Sequence, residues 1–404
     1  MTALMTDEEV IQRVLDHVEN GSTDLGSDVW REPVENYRSQ ARFDLEMELF
    51  KRLPMVYCPS AALAQPGDYV ARSLAGVPLL SVRGDDGIVR TFHNACRHRG
   101  MMLAEGDGNV RGGFVCPYHA WAYGLDGSLK NIAGKGGFPG VDVAEHGLKQ
   151  VATEERGGLI FVTQKEPISA GALDLLPDLI ESDQVVFEYT SFTDEANWKL
   201  LLETSMEGYH IKALHHKSFY PFGFDNLNVV ETYGTNSRIV FPFKRIEKLR
   251  ERPQTDWRAQ GKLTYVNQLF PNTRLATLSN HYLLVILEPV TPSSSRWYIY
   301  RLRRPDADDT PEALERAKRD AAFLKDTGVI EDRAAACSIQ SAMAGEGNEH
   351  FIFGRFETSA VHFHQHLEAH LDELEGLLDA DHFGEVPSRT DASNRLRQHV
   401  NVLA

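Results

Sequence analysis

Two matched pairs of ligand-type residues restrict what this chain can fold into more than any other feature. Cys96-Arg-His98 is followed, after seventeen intervening residues, by Cys116-Pro-Tyr-His119. Each pair offers a thiolate and an imidazole from one short loop, and two such loops can close round a single cofactor. Zinc accepts Cys₂His₂ sets, but a zinc finger keeps both cysteines in one pair and both histidines in the other. Here each pair supplies one of each. A [2Fe–2S] cluster with two cysteines on one iron and two histidines on the other asks for that arrangement. Four unrelated core or loop residues would not be matched in this way, although cysteine is often buried simply as a small hydrophobe.

The surroundings are those of a small antiparallel β domain. From Leu53 to Val162, apolar runs such as Val77–Val82 and Gly158–Val162 alternate with turn signals at Gly84–Gly87 and Leu125–Ser128. Upstream, Thr6 to Glu9 has the form of a capping box, with Val10, Ile11, Val14 and Leu15 following at helical spacing. Downstream of Pro167 the pattern is mixed. Trp198–Leu214 reads as a helix; Arg238–Phe243, Thr273–Thr277, Tyr282–Leu287 and Arg296–Leu302 read as strands. Thr310-Pro311 starts a helix, and a further one begins near Ile330. The passage from Cys96 to Trp121, including Cys-Pro-Tyr-His-Ala-Trp, resembles the Rieske domain of the Rieske non-haem iron oxygenases, the aromatic-ring-hydroxylating dioxygenase family.

A second constellation separates an oxygenase from a plain electron carrier. Glu207 and His210 are three apart and share a helix face. His210 and His215 are five apart, which a regular helix would splay by about 140°. Both histidines reach one metal only if the helix ends or deforms between them. Iron(II) sites that activate O₂ commonly use two histidines and one carboxylate, so the carboxylate must come from elsewhere. The segment resembles the catalytic helix of the same family, acid-x-x-His followed four or five residues later by His. That resemblance implies His210 and His215 as iron ligands, with His216 as the alternative second histidine. Val329-Ile-Glu331-Asp332-Arg333 followed by Ser338-Ile-Gln340 resembles the family's late helix and implies Asp332 as third ligand, with Glu331 as the fallback.

The resemblance covers roughly residues 40 to 370. It implies an α+β fold: an antiparallel β Rieske domain (46–165), a helix-grip, START-like catalytic domain (166–404), and an N-terminal helical segment (1–45) packing on the latter. It further implies a head-to-tail homotrimer, with or without a small β subunit. Electrons enter at the cluster of Cys96, His98, Cys116 and His119 and cross, through the catalytic acid Glu207, to the iron of the adjacent subunit. Aromatic ring hydroxylation is the first substrate expectation. Hydroxylation of a quaternary amine, or oxidative N- or O-demethylation, is the second, and Glu207 in place of the commoner Asp leans that way. A Rieske electron carrier with an unrelated second domain is the reading from a different class; it would have no use for His210, His215 and Asp332.

Composition bounds the partners. With 42 basic and 58 acidic residues the chain carries a formal −16, a poor match for a nucleic-acid backbone. No apolar run approaches the ~20 residues of a membrane span, and the first residues lack a secretory pattern. A cytoplasmic protein is therefore expected, with Cys58 and Cys337 as buried free thiols. No G-x-G-x-x-G opens a helix after a strand, so electrons must come from a separate reductase, with or without a ferredoxin. Residues 91–140 carry five basic residues against three acidic ones, a patch able to steer an acidic donor. Phe219, Tyr220, Phe222, Phe224, Tyr233, Phe241 and Phe243 crowd the segment after the histidines, and two or three of them are expected to touch substrate. His362, His366 and His370 share one face of a late helix, read as a solvated face.

Overall fold

Short strands joined by glycine turns give the first domain two antiparallel sheets. Seven strands pair in the order Met55–Pro59, Leu159–Thr163, Gln150–Arg156, Val89–His93, Val77–Arg83, Asp68–Leu74 and Gly106–Asn109. Phe114–Val115, Ala122–Tyr123 and Leu129–Asn131 form the second sheet. Leu80, Val82 and Phe92 from the larger sheet share a core with Phe114, Tyr123 and Leu129 from the smaller one. The hairpin of the smaller sheet needs glycine at one point. Gly113 has φ 137°, and a Cβ there would meet the Tyr123 carbonyl oxygen at 1.9 Å. The computed structural model describes residues 4–169, 171–180, 184–304, 310–325, 330–345 and 347–383.

The second domain is a seven-stranded antiparallel sheet in the order Val186–Asp194, Ser294–Arg303, His281–Thr291, Thr273–Thr277, Leu263–Leu269, Asn236–Pro242 and Val229–Tyr233. Seven α-helices lie among the described residues: α1 (Asp7–Asn20), α2 (Glu35–Arg38), α3 (Gln40–Phe50), α4 (Trp198–Glu203), α5 (Pro311–Leu324), α6 (Ile330–Ala342) and α7 (Thr358–Phe383). Thr6 caps α1 in a full capping box with Glu9, and Val10, Ile11 and Val14 share a core with Val229, Val240 and Tyr265 of this sheet. Trp30–Pro33 pairs with His350–Phe353 in a separate two-stranded ladder. No described helix is long and apolar enough to cross a membrane.

Three expectations need correcting. The helix expected over Trp198–Leu214 ends at Glu203, and turns follow; Gly208 and the side-chain bonds of Glu207 to the following amides favour a turn over continued helix. The 45/46 boundary falls inside α3, which is one unbroken helix. Its Glu46 accepts from Trp198 Nε1 at 2.9 Å and from Lys199 Nζ at 2.5 Å, tying α3 to the catalytic domain. The late histidine helix is not a solvated face. Ala360, Phe363, Leu367, Leu371 and Leu374 of α7 lie in the core, and His364 and His370 are buried with them. Burial lowers His362 to about 4 and, helped by its neighbouring histidines, His366 to about 3.

The domains meet across Arg72 and Glu288. The Arg72 guanidinium lies between the rings of Tyr57 and Tyr298, 4.4 and 4.2 Å from their centroids. Glu288, 3% exposed, accepts from Gly76 N–H at 3.2 Å. Burial pushes the Glu288 carboxyl up to about 7, against the opposing pull of Arg72 and the Gly76 and Ala75 amides. The folded value stands above the ordinary 4.5, so the stabilising contribution of this group is complete below about pH 4.5 and is lost as pH rises through about 7. Glu288→Gln is therefore expected to raise the unfolding free energy, read by denaturant titration, at pH 8 by more than at pH 5, the difference being on the order of 2–3 kcal/mol. Equal shifts at the two pH values would remove Glu288 as the cause.

Candidate active site

In the first domain the two loops have equivalent backbones. Cys96 N–H donates to Met101 O and Gly100 N–H to Cys96 O; Cys116 N–H donates to Trp121 O and Ala120 N–H to Cys116 O, all at 2.8–2.9 Å. Gly100 and Ala120, four residues after each cysteine, both have positive φ. The loops therefore present Cys96 with His98, and Cys116 with His119, as two facing halves. The His98 and His119 ring centroids lie 4.7 Å apart, and His98 stacks on Trp121. Both cysteines are buried. His98 Nδ1 and His119 Nδ1 are buried without a hydrogen-bond partner, a costly state for lone pairs unless something fills the space between the loops. Two thiols and two imidazole nitrogens freed in this way fit a [2Fe–2S] cluster with mixed ligation.

In the second domain, the end of α4 at Glu203 frees the chain to turn. One helical turn, closed by Leu214 N–H on His210 O at 2.8 Å and His215 N–H on Ile211 O at 3.1 Å, carries both histidines. Their ring centroids are 5.0 Å apart. From the first turn of α6, Asp332 Oδ1 approaches His215 Nε2 to 2.9 Å and His210 Nε2 to 3.5 Å. Ligand atoms of His210, His215 and Asp332 all lie within 4.8 Å of one another. Asp332 Oδ1 is nonetheless buried without a hydrogen-bond donor, so these atoms converge on a common point and are not hydrogen-bonded to each other. That fits a divalent cation held by two nitrogens and one oxygen. His216 is exposed and stands outside the group.

Two further carboxylates hold the rings. Glu207 Oε1 bonds His210 Nδ1, while its Oε2 accepts from the Tyr209 and His210 amides. Glu331 Oε2 bonds His215 Nδ1 at 2.7 Å and accepts from Ser218 Oγ at 2.6 Å. Glu331 thus faces the far side of the ring from Asp332. Burial works to lower the His210 pKa, but Glu207, with Asp332 behind it, outweighs burial and holds it above the ordinary histidine value. His215 is raised in the same way, against burial, by Asp332 and Glu331.

A cavity of about 210 Å³ opens beside the three residues. Five of the seven aromatics singled out above line it, namely Phe219, Phe222, Phe224, Phe241 and Phe243, whereas Tyr220 and Tyr233 do not. Sequence reasoning missed three features here. Arg274, on the strand Thr273–Thr277, lines the cavity; its signal is a lone charge in a buried strand. Glu203 reaches Tyr37 Oη at 2.8 Å and His364 Nε2 at 3.0 Å, a contact no spacing rule joins. Burial, with Glu207 and Glu203 nearby, pushes Glu357 up to about 7. Cys58 is buried and pushed up to about 12, while Cys337 is half-buried.

Two family models match the chain: the Rieske [2Fe-2S] domain over residues 54–144 and the ring hydroxylating alpha subunit (catalytic domain) over residues 183–373. The glycine betaine monooxygenase oxygenase subunit of Chromohalobacter salexigens is 35% identical over 190 residues, 45% of this chain and 42% of that protein. The carnitine monooxygenase oxygenase subunit of Escherichia coli K12 is 32% identical over 199 residues, 46% of this chain and 53% of that protein. The matched stretch thus spans about half the length of these curated relatives. A quaternary ammonium Rieske monooxygenase solved with L-carnitine has a TM-score of 0.71 at 21% identity, over 92% of this chain and 99% of that one. Naphthalene 1,2-dioxygenase from Rhodococcus sp. gives 0.68 at 19% identity, over 91% and 98%.

One local contact in the first domain is directly testable. Tyr123 Oη lies 3.2 Å from Cys96 Sγ and accepts from Arg97 N–H at 2.9 Å. A hydroxyl donating to a ligating sulfur favours the more negative, reduced cluster. Tyr123→Phe is expected to lower the reduction potential of the loaded domain by on the order of 50 mV in an EPR-monitored redox titration. An unchanged potential would show that the hydroxyl serves only the Arg97 amide.

Proposed function

From its match to the Rieske [2Fe-2S] domain and to the ring hydroxylating alpha subunit catalytic domain, we propose that this chain is a terminal oxygenase. It uses O₂ and externally supplied electrons to hydroxylate a small organic substrate. The observation that carries this reading is the convergence of His210, His215 and Asp332 on the wall of an apolar cavity; an electron carrier has no need of it. When bound, mononuclear iron at these three residues supplies O₂ activation, and a [2Fe–2S] cluster at Cys96, His98, Cys116 and His119 supplies electrons.

The chain's own contribution is geometry. Glu207 and Glu331, bonded to the Nδ1 atoms of His210 and His215, fix both rings with Nε2 towards Asp332. The phenylalanine lining keeps water from the space where substrate sits. Glu207 has a second role as the catalytic acid joining His210 to a cluster histidine of the next subunit in a head-to-tail trimer. A separate reductase, with or without a ferredoxin, feeds that trimer, and the free thiols of Cys58 and Cys337 suit a cytoplasmic setting. In domain terms, the stretch after α3 up to residue 165 carries electrons, and 166–404 with the N-terminal segment, α3 included, do the oxygenation.

On substrate, relatives named for glycine betaine and carnitine shift the weight from an aromatic compound to a quaternary amine. The lining supports this, since aromatic faces attract an onium group by cation–π interaction. Aromatic ring hydroxylation is the second reading, favoured by the same apolar walls and by the 28% identical anthranilate 1,2-dioxygenase large subunit of Acinetobacter baylyi.

The test is iron and sulfide analysis with EPR on wild type and His210→Ala after anaerobic reconstitution. About three irons and two sulfides per chain are expected, falling to about two irons in the variant with the Rieske signal retained. Product assays with a surrogate reductase then compare glycine betaine, carnitine and benzoate. Two irons in both proteins would sink the oxygenase reading and leave an electron carrier.

A further inference from the structure

The cavity wall carries a buried arginine that neither metal ligation nor the aromatic lining uses. Arg274 is 8% exposed and lines the cavity. An arginine buried this deeply ordinarily has a carboxylate against its fork. Among the described residues, no hydrogen bond or ion pair reaches the Arg274 guanidinium; the Trp297 ring lies 5.5 Å away. The other charges in the cavity wall are committed elsewhere. Glu207 holds His210, and Asp320 accepts from Asn280 N–H and His281 Nδ1. Asp332 acts on Arg274 only through its charge, and its Oδ1 faces the two histidines. Burial lowers the Arg274 pKa and Asp332 opposes this, but a guanidinium stays protonated in proteins.

A fixed cation in the wall of a small apolar cavity repels a bare onium ion and rewards a molecule that brings its own anion. The planar fork of arginine matches a carboxylate through two parallel N–H donors. We propose that Arg274 is a specificity-determining residue that binds a carboxylate carried by the substrate. The substrate class is then a small carboxylate whose other end, onium or ring, lies against the phenylalanines. The inference rests on reading this cavity as the substrate site of an oxygenase; it does not depend on which of the two ends is correct.

The test uses the iron-loaded full chain, isothermal titration calorimetry and two matched pairs: glycine betaine against its methyl ester, and benzoate against methyl benzoate. In at least one pair the acid is expected to bind the wild type at least about tenfold more tightly than its ester. Arg274→Met is expected to abolish that preference by weakening the acid alone, and Arg274→Lys, which keeps the charge without the fork, to retain part of it. Preference confined to glycine betaine supports the subsite with a quaternary amine; preference confined to benzoate supports it with an arene. Equal binding of acid and ester in both pairs, no binding by any of the four, or a preference that survives Arg274→Met overturns the assignment.

A second readout separates this role from a structural one. Removing an unpaired buried charge relieves its desolvation, so Arg274→Met is expected to melt at or above the wild type. A variant that melts well below it while keeping the acid preference identifies a structural arginine and overturns the proposal. Iron content, measured on the same samples, tests the oxygenase reading independently. Two irons per chain with an intact acid preference would remove that reading and leave the carboxylate subsite standing.

Discussion

Three carboxylates packed round two imidazoles repel one another unless positive charge sits among them. Glu207, Glu331 and Asp332 are in that position round His210 and His215, and much of the catalytic domain is arranged to hold them there. The early end of α4 turns the histidines towards α6, and the first turn of α6 brings Glu331 and Asp332 to opposite sides of one ring. A divalent cation held here would relieve the repulsion and satisfy Asp332 Oδ1, which has no donor of its own. The raised pKa values of both histidines express the same demand for positive charge.

The two domains solve the same problem by different routes. In the first, ligands come from two equivalent loops close in sequence, each pinned by the same pair of backbone bonds. In the second, a local turn supplies two of the proposed ligands and a helix more than a hundred residues later supplies the third. Short-range sites are set by turn chemistry. The long-range site depends on the whole sheet and on the buried Glu46–Lys199 contact that fixes α3 against the start of α4.

That difference decides how much could be read from the sequence. The cluster residues announce themselves by spacing, because loop ligands lie a few residues apart. His210 and His215 were legible together with the condition that the helix end or deform, and the helix does end. Asp332 was reachable only through a family pattern, since nothing local relates α6 to the turn. The late histidines misled for a physical reason. Their apolar neighbours Ala360, Phe363, Leu367, Leu371 and Leu374 form the stripe that buries α7, and His364 and His370 go in with it. Arg274 showed only as a lone charge in a strand, and its place in the cavity wall was hidden because a strand pattern shows which residues are buried and not what they face.

The ladder between Trp30–Pro33 and His350–Phe353, with Arg42 Nη1 donating to Glu368 at 3.0 Å, has a consequence for synthesis. The Rieske sheet is made from one continuous stretch, Met55 to Thr163, and can close as soon as that stretch has left the ribosome. The catalytic domain is discontinuous. Its opening segment must wait, with the Trp30–Pro33 edge unpaired, until residues near 350 are translated. During that interval the exposed edge is a site for wrong pairing, so slow translation of the second half endangers the domain that is begun first and finished last.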